Sequence, residues 1–201
     1  MTQIITKNII QDYVISDPHF GHDNIRRFCA RPFDTIEEHD ETLAENWNKV
    51  VPVKNSRVWI LGDFAFKRPD YWVRRLHGSQ KILISGNHDR LSNYVMDLFH
   101  TVYGREKNAG GLYSTNINGQ SVMFCHYPME SWNKSCHGAW HLHGHCHKEI
   151  EGSQPGQISR GLRLDIGVDL HNYHPWSWEE IAVVMKEKER LLKEANIKIK
   201  L

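Results

Sequence analysis

Three short apolar runs each end on a residue able to bind a proton or a metal ion. Tyr13-Val14-Ile15-Ser16 leads into Asp17-Pro18-His19, Val58-Trp59-Ile60-Leu61 into Gly62-Asp63, and Lys81-Ile82-Leu83-Ile84-Ser85 into Gly86-Asn87-His88-Asp89. Further on, His126 follows another apolar stretch, and Gly144-His145-Cys146-His147 closes a run from His137 to His147 that holds five of the 14 histidines. Imidazole mixed with carboxylate suits zinc, iron or manganese and not a hard-oxygen calcium site. Asp17 and His19 can face one ion if the turn curls around it, and His145 and His147 can reach neighbouring ions. Gly62 and Gly86 permit sharp exits from their strands. Each fragment alone is a weak signal, and the histidine pair alone reads equally well as an exposed polar loop. Pro18 removes a backbone donor and biases Asp17 towards an extended backbone, while Pro128 is placed to turn the chain away after His126.

The elements that must position these groups are legible around them. Short runs rich in Ile and Val, separated by helical patterns, predict buried strands of an α/β or layered fold. Ligands gather at the carboxyl ends of parallel strands, where loops present side chains that the strands hold rigid. A helix is expected from Asp34, with Glu37 three residues on in capping-box spacing and Ile36, Leu43, Trp47 and Val50 along one stripe, ending before Pro52. A shorter one starts at Pro69, buries Trp72, Val73 and Leu76 and ends at Gly78, and another covers residues 92–99. After His100 the pattern changes. Residues 111–117 and 120–125 flank Asn118-Gly119, a two-residue hairpin signal, with further strands over 139–143 and 162–168. This antiparallel character argues against a simple doubly wound sheet. The chain closes with a helix over 178–195, capped by Ser177 with Glu180, burying Trp178, Ile181, Met185 and Leu192. Its remaining lysines and glutamates read as a solvated face, with Glu179 and Glu180 in the first turn and Lys193 near the end, as the helix dipole prefers.

Composition narrows the class. A chain of 201 residues, 40% hydrophobic, fits one well-packed domain, and no Gly/Ser/Pro-rich linker divides it. Lys plus Arg total 25 against 24 Asp plus Glu, so there is no chain-wide basic footprint for nucleic acid. Two bound divalent ions would nevertheless make one cleft positive. The four cysteines, Cys29, Cys125, Cys136 and Cys146, have no CxxC spacing. With no basic-then-apolar leader and no run approaching about 18 apolar residues, the expectation is a cytoplasmic protein with reduced thiols and no membrane partner.

Taken in order, Asp17-Pro18-His19, Gly62-Asp63, Gly86-Asn87-His88-Asp89, His126 and Gly144-His145-Cys146-His147 closely resemble the calcineurin-like metallophosphoesterase superfamily, with all five motif blocks present. Ile15-Ser16-Asp17, His19-Phe20-Gly21-His22 and Arg31-Pro32-Phe33 resemble a small bacterial or phage-type branch of it. The resemblance implies a four-layer α/β/β/α sandwich with two mixed β-sheets. It implies that Asp17, His19 and His147 bind one metal ion, that Asn87, His126 and His145 bind a second, and that Asp63 bridges them. The native pair would be drawn from manganese, iron and zinc. The ions would lie about 3.5–4 Å apart and share a hydroxide that attacks phosphorus in line with the leaving group. Two carboxylates and one hydroxide against two divalent ions leave net positive charge for a phosphoryl group. His88, beside Asn87 but not itself a ligand, is the candidate proton donor to the leaving oxygen. Asp89 either orients His88 or is structural. His22, Arg26, Arg27 and Arg31 are candidates to surround a substrate phosphate, with a solvated surface as the plainer reading of each arginine. Asp169 is expected to brace the site through a histidine, and His141 and His143 are either partners of the ligands or structural.

The function expected is hydrolysis of a phosphate ester. A slight preference for a diester follows from motif spacing that leaves little room for a capping domain. The alternatives are a phosphomonoesterase, or a non-catalytic protein-interaction scaffold on the same fold. A nucleic-acid-binding module is disfavoured by the balanced charge, but a nucleotide or nucleic acid as substrate stays open.

Overall fold

The computed structural model describes residues 9–104, 110–148, 152–157 and 161–195. Two mixed β-sheets carry the site. In the first, β1 (Gln11–Ile15), β2 (Ser56–Ile60), β3 (Gln80–Ile84) and β4 (Thr101–Tyr103) run parallel, and β9 (Trp176–Ser177) pairs antiparallel with β1. In the second, β5 (Leu112–Ile117) and β6 (Gln120–Cys125) form an antiparallel hairpin, continued in parallel by β7 (Trp140–His143) and β8 (Arg163–Asp165).

The strands of the first sheet are apolar on both faces because both faces are covered. Tyr13, Ile15, Val58, Ile60 and Leu83 share one core with Leu43 and Trp47 of α2 (Ile36–Val50) and Trp72 and Val73 of α3 (Pro69–Arg75). Val14, Trp59, Ile82 and Ile84 face the other way, into Val122, Phe124, Leu142 and Leu164 of the second sheet. Ile181 and Met185 of α5 (Trp178–Glu194) join that second core. Each fully buried aliphatic side chain contributes about 1.5–3 kcal/mol. Two mixed sheets flanked by helices are consistent with the expected four-layer sandwich. Among the described residues no helix is long and apolar enough to cross a membrane.

The element ends depart from expectation in instructive ways. The α2 cap is Thr35, not Asp34: the Glu38 amide donates to Thr35 Oγ1 at 3.0 Å, and Glu38 Oε2 accepts the Asp34 amide at 2.7 Å. Thr35 and Glu38 have the same three-residue spacing as Asp34 and Glu37, so the pattern was right and its phase one residue early. The helix expected over 92–99 is one turn, α4 (Asn93–Met96), capped by Ser92. Leu76 ends α3, and Gly78 follows in the loop at φ +125°. The capping box at Ser177 and Glu180 is present as read, and the hairpin turns on Asn118 and Gly119, both at positive φ. The short helix α1 (Asp23–Phe28), β4 and β9 were not anticipated.

One lysine of α5 is not on a solvated face. Lys188 is 1% exposed and donates from Nζ to the carbonyls of Gly152 and Gln154. Burial, reinforced by Arg163, lowers its pKa from 10.5 to about 8. The unfolded chain therefore holds more protons than the folded one between those values, and this group makes folding more favourable as pH rises through that window. Denaturant unfolding of wild type and Lys188→Met should show the wild type gaining stability relative to the variant between pH 8 and 10. Parallel pH profiles would contradict it.

Candidate metal centre

The seven residues expected as ligands converge at the carboxyl ends of β1, β2, β3, β6 and β7. Asp17, His19, Asp63, His145 and His147 all have φ between +52° and +78°, a left-handed backbone that costs a side-chain-bearing residue about 1–2 kcal/mol. Such outliers persist only where surroundings over-determine them. Here the surroundings are tight: a Cβ on Gly144 would stand 2.1 Å from Asp17 Oδ2, and one on Gly86 2.4 Å from Asp63 Oδ1. The extended backbone that Pro18 was expected to favour at Asp17 is not adopted, since Asp17 has φ +59°. Its neighbours explain why: Asp17 Oδ2 accepts the His145 amide at 2.9 Å and its carbonyl accepts Arg31 Nη2 at 2.9 Å.

Two donor sets meet at Asp63. On one side His19 Nε2 and His147 Nε2 are 3.1 Å apart, with Asp17 Oδ1 at 3.8 and 3.7 Å from them. On the other, His126 Nε2 is 3.0 Å from Asn87 Oδ1 and 3.2 Å from His145 Nδ1. Asp63 Oδ2 lies 3.5 Å from His19 Nε2 and 3.5 Å from His126 Nε2, between the sets, while Asp63 Oδ1 accepts the His88 amide at 2.9 Å. Donors about 2.1 Å from one ion stand about 3–3.5 Å apart, so both sets fit a cation. Asp17 Oδ1 and His19 Nδ1 are buried without a hydrogen-bond partner among the described residues. An orphaned carboxylate oxygen in a pocket of imidazole nitrogens is costly unless a cation meets it. The clustered His and Asp side chains are thus able to hold two metal ions, an arrangement consistent with metal-dependent hydrolysis in general.

Burial, with the nearby charges of His147 and Arg31, drives the His19 pKa well below its usual range, leaving a neutral donor. Burial also acts to lower His126 and His147, but their hydrogen bonds to the Asp63 and Asp169 carboxylates and the Asp17 charge outweigh it, raising them to about 9 and about 10. His126 Nδ1 lies 2.8 Å from the Leu61 carbonyl and donates to it, which points Nε2 at Asn87 and Asp63.

The flanking residues divide. Asp169 Oδ2 accepts from His147 Nδ1 at 2.8 Å, and both Asp169 oxygens accept from Arg31 Nε and Nη2 at 2.7 Å. Asp169 thus orients a candidate ligand as expected of a brace. Arg31, by contrast, is not available to a substrate phosphate: it is 4% exposed and also donates to the carbonyls of Asp17 and Pro18. Arg26 is likewise engaged, on Asp23 and on the carbonyls of Phe33 and Asp34. Arg27 is exposed, its guanidinium 5.6 Å from the Phe28 ring, and His22 is half-buried against Phe66. Asp89 does not orient His88. Its carboxylate accepts the amides of Asp63, Phe64 and Gly86 at 2.8–2.9 Å, tying the β2 loop to the β3 loop. His141 and His143 are buried and structural: burial lowers them to about 4 and about 3, and His141 Nε2 accepts the Met129 amide while His143 Nε2 meets Ser153 Oγ at 3.0 Å. Cys29, 118 positions from His147 in sequence, joins His147 and Asp169 in a further metal-capable group, a proximity that no local signal marks.

Asp169→Asn is expected to weaken metal binding on the His147 side by about 10- to 100-fold through loss of ring orientation. It should also lower stability by about 3 kcal/mol, because Arg31 loses a counterion while buried. Metal titration and denaturant unfolding measure the two separately. Unchanged affinity would remove Asp169 from the site.

Fold and site together define a two-sheet α/β protein built around a His/Asp centre able to hold two ions. No family model matches the chain. It is 31% identical over 189 residues to the uncharacterized protein MJ1445 of Methanocaldococcus jannaschii, covering 92% of this chain and 96% of that protein, and it belongs to the same family as that protein. It is also similar to the Gene 66 protein of Mycobacterium phage L5, 28% identical over 182 residues with 77% of this chain and 84% of that one covered. The crystal structure of AQ665 from Aquifex aeolicus, a protein of unknown function, shares the fold at a TM-score of 0.64 and 23% identity, covering 87% of this chain and 98% of that one.

Proposed function

We propose that this protein is a calcineurin-like metallophosphoesterase that hydrolyses a phosphate ester, with a slight preference for diesters. The five motif blocks motivate the reading, and the position of Asp63 Oδ2, 3.5 Å from a nitrogen of each donor set, carries it. Asp17, His19 and His147 would hold one ion and Asn87, His126 and His145 the other, with Asp63 shared and manganese, iron or zinc as the metals. When bound, such a pair supplies Lewis acidity towards phosphoryl oxygens and an acidified water as nucleophile. The chain's own groups do the rest. His88 is exposed, and its amide is pinned on Asp63 Oδ1, so its imidazole stands at the mouth of the centre with its ring centroid 5.9 Å from that of His19. From there it delivers a proton to the departing alcohol oxygen. Asp169 keeps the His147 ring in register, and Asp89 holds the two loops that carry Asp63 and Asn87. The exposure of His88 suits a substrate with substituents on both sides of phosphorus. A small bacterial or phage-type branch is in keeping with the similarity to a phage protein.

The test is hydrolysis by metal-reconstituted protein of matched phosphate monoesters and diesters, followed by nucleotides, with manganese, zinc, iron and nickel compared under metal analysis. Turnover that favours diesters is expected. Fully metallated protein inert across the panel would replace this reading with that of a non-catalytic scaffold.

A further inference from the structure

Among the described residues the exposed large aromatic side chains are Phe28, Phe66 and Tyr94, at 67%, 41% and 60% exposure. Tyr94 lies elsewhere, its hydroxyl accepting from Arg74. The other two converge on one imidazole at the mouth of the metal centre. Phe66 stacks on His22 with ring centroids 4.0 Å apart and planes 9° from parallel. Phe28 meets the same His22 edge-on at 6.3 Å. Phe66 also lies 5.5 Å from the His19 ring and 5.1 Å from the His88 ring. Single exposed apolar side chains need no explanation, but two aromatic rings flanking one site do. Phe66 is not exposed through a loose backbone, since its amide donates to the Phe20 carbonyl at 2.8 Å beside the Phe20–Ala65 bridge.

We propose that Phe66 and Phe28, with His22 between them, form a stacking platform for the aromatic base of a nucleoside phosphate ester. The inference rests on the phosphoesterase reading and names its substrate class. Three features select a base over an aliphatic group. The surface is made of ring faces and edges that hydratable imidazoles interrupt, which suits a planar heteroaromatic with polar edges. Phe66 adjoins His88, so the stacked ring belongs to the alcohol that leaves. Arg27, with its guanidinium 5.6 Å from the Phe28 ring centroid, extends the platform with a cation that can stack on a base.

The experiment compares kcat/KM of metal-reconstituted protein for the ethyl phosphodiester of a nucleoside and that of glycerol, which have leaving alcohols of similar basicity. Base stacking predicts a wild-type preference for the nucleoside ester of about 10- to 100-fold. Phe66→Leu and Phe28→Leu should each lower that ratio by about 10-fold, and Phe66→Trp should preserve it. Equal use of both esters by wild type, or a ratio unchanged in both leucine variants, overturns the platform and leaves the phosphoesterase reading standing. Hydrolysis of neither ester removes the diester preference instead and leaves the phosphoesterase reading to the monoester panel. The platform is then decided by calorimetric binding of adenosine 5′-monophosphate and ribose 5-phosphate to the metal-loaded protein. Tighter binding of the adenosine compound, lost by about 10-fold in Phe66→Leu, upholds stacking, and equal affinities overturn it.

Discussion

Asp63→Asn should lower turnover on the order of a thousandfold, equivalent to about 4 kcal/mol of transition-state stabilisation. It should also reduce bound metal from two ions per chain towards one. The side chain is 3.5 Å from His19 Nε2 and 3.5 Å from His126 Nε2 through one oxygen, while the other accepts the His88 amide. Asparagine keeps the shape and can still accept that amide through its carbonyl oxygen. It loses the charge that two cations would share and places an amide N–H where a bare oxygen is required. The backbone at φ +53° also favours Asn among the L-residues, so the fold should survive. Elemental analysis alongside kcat and a thermal melt separates the effects. A variant that folds, carries two ions and turns over near the wild-type rate would end the bridging assignment.

His88→Ala should behave differently. A loss in kcat of about 10²- to 10⁴-fold is expected for esters of ordinary alcohols, with metal content retained. The contact between residue 88 and Asp63 is made by a backbone amide, which alanine keeps, and the imidazole itself is exposed at the mouth. The penalty should shrink for esters with an acidic leaving group such as a nitrophenol, which departs without a proton. A uniform penalty across leaving groups would assign His88 to something other than protonation, and loss of both ions would make it part of the metal scaffold.

The two predictions differ because local pattern and long-range geometry carry different information. The strand ends were readable because β1, β2 and β3 are buried on both faces and so appear as uninterrupted apolar runs with polar residues just beyond. The hairpin and the α5 cap were readable for a similar reason: Asn118-Gly119 and Ser177 with Glu180 act over two to three residues. What failed depended on partners far away in sequence. Arg31 looks like a surface cation until Asp169, 138 positions on, folds over it. Asp89 reads equally well as a partner of His88 or as structural, and only the amides of Asp63 and Phe64, 26 and 25 positions back, select the structural role. Lys188 shares its helix with many solvated lysines, and its burial comes from a loop over 30 residues upstream. The positive φ at five candidate ligands has no local signal, because only the assembled loops impose it.

The link from Arg31 to Asp169 has a consequence for biosynthesis. Every candidate ligand has been translated once His147 is made, yet a nascent chain of that length cannot hold the His147 ring, because Asp169 is still to come. Arg31, which grips the carbonyls of Asp17 and Pro18, lacks its counterion over the same interval, and β1 lacks its β9 neighbour at Trp176–Ser177. Domains generally fold as units during synthesis. Here Asp169 and the β9 strand at Trp176–Ser177, both made after the candidate ligands, decide when the unit closes. A ribosome stalled shortly after His147 would therefore display the full set of candidate donors without the Asp169 clamp that aligns them.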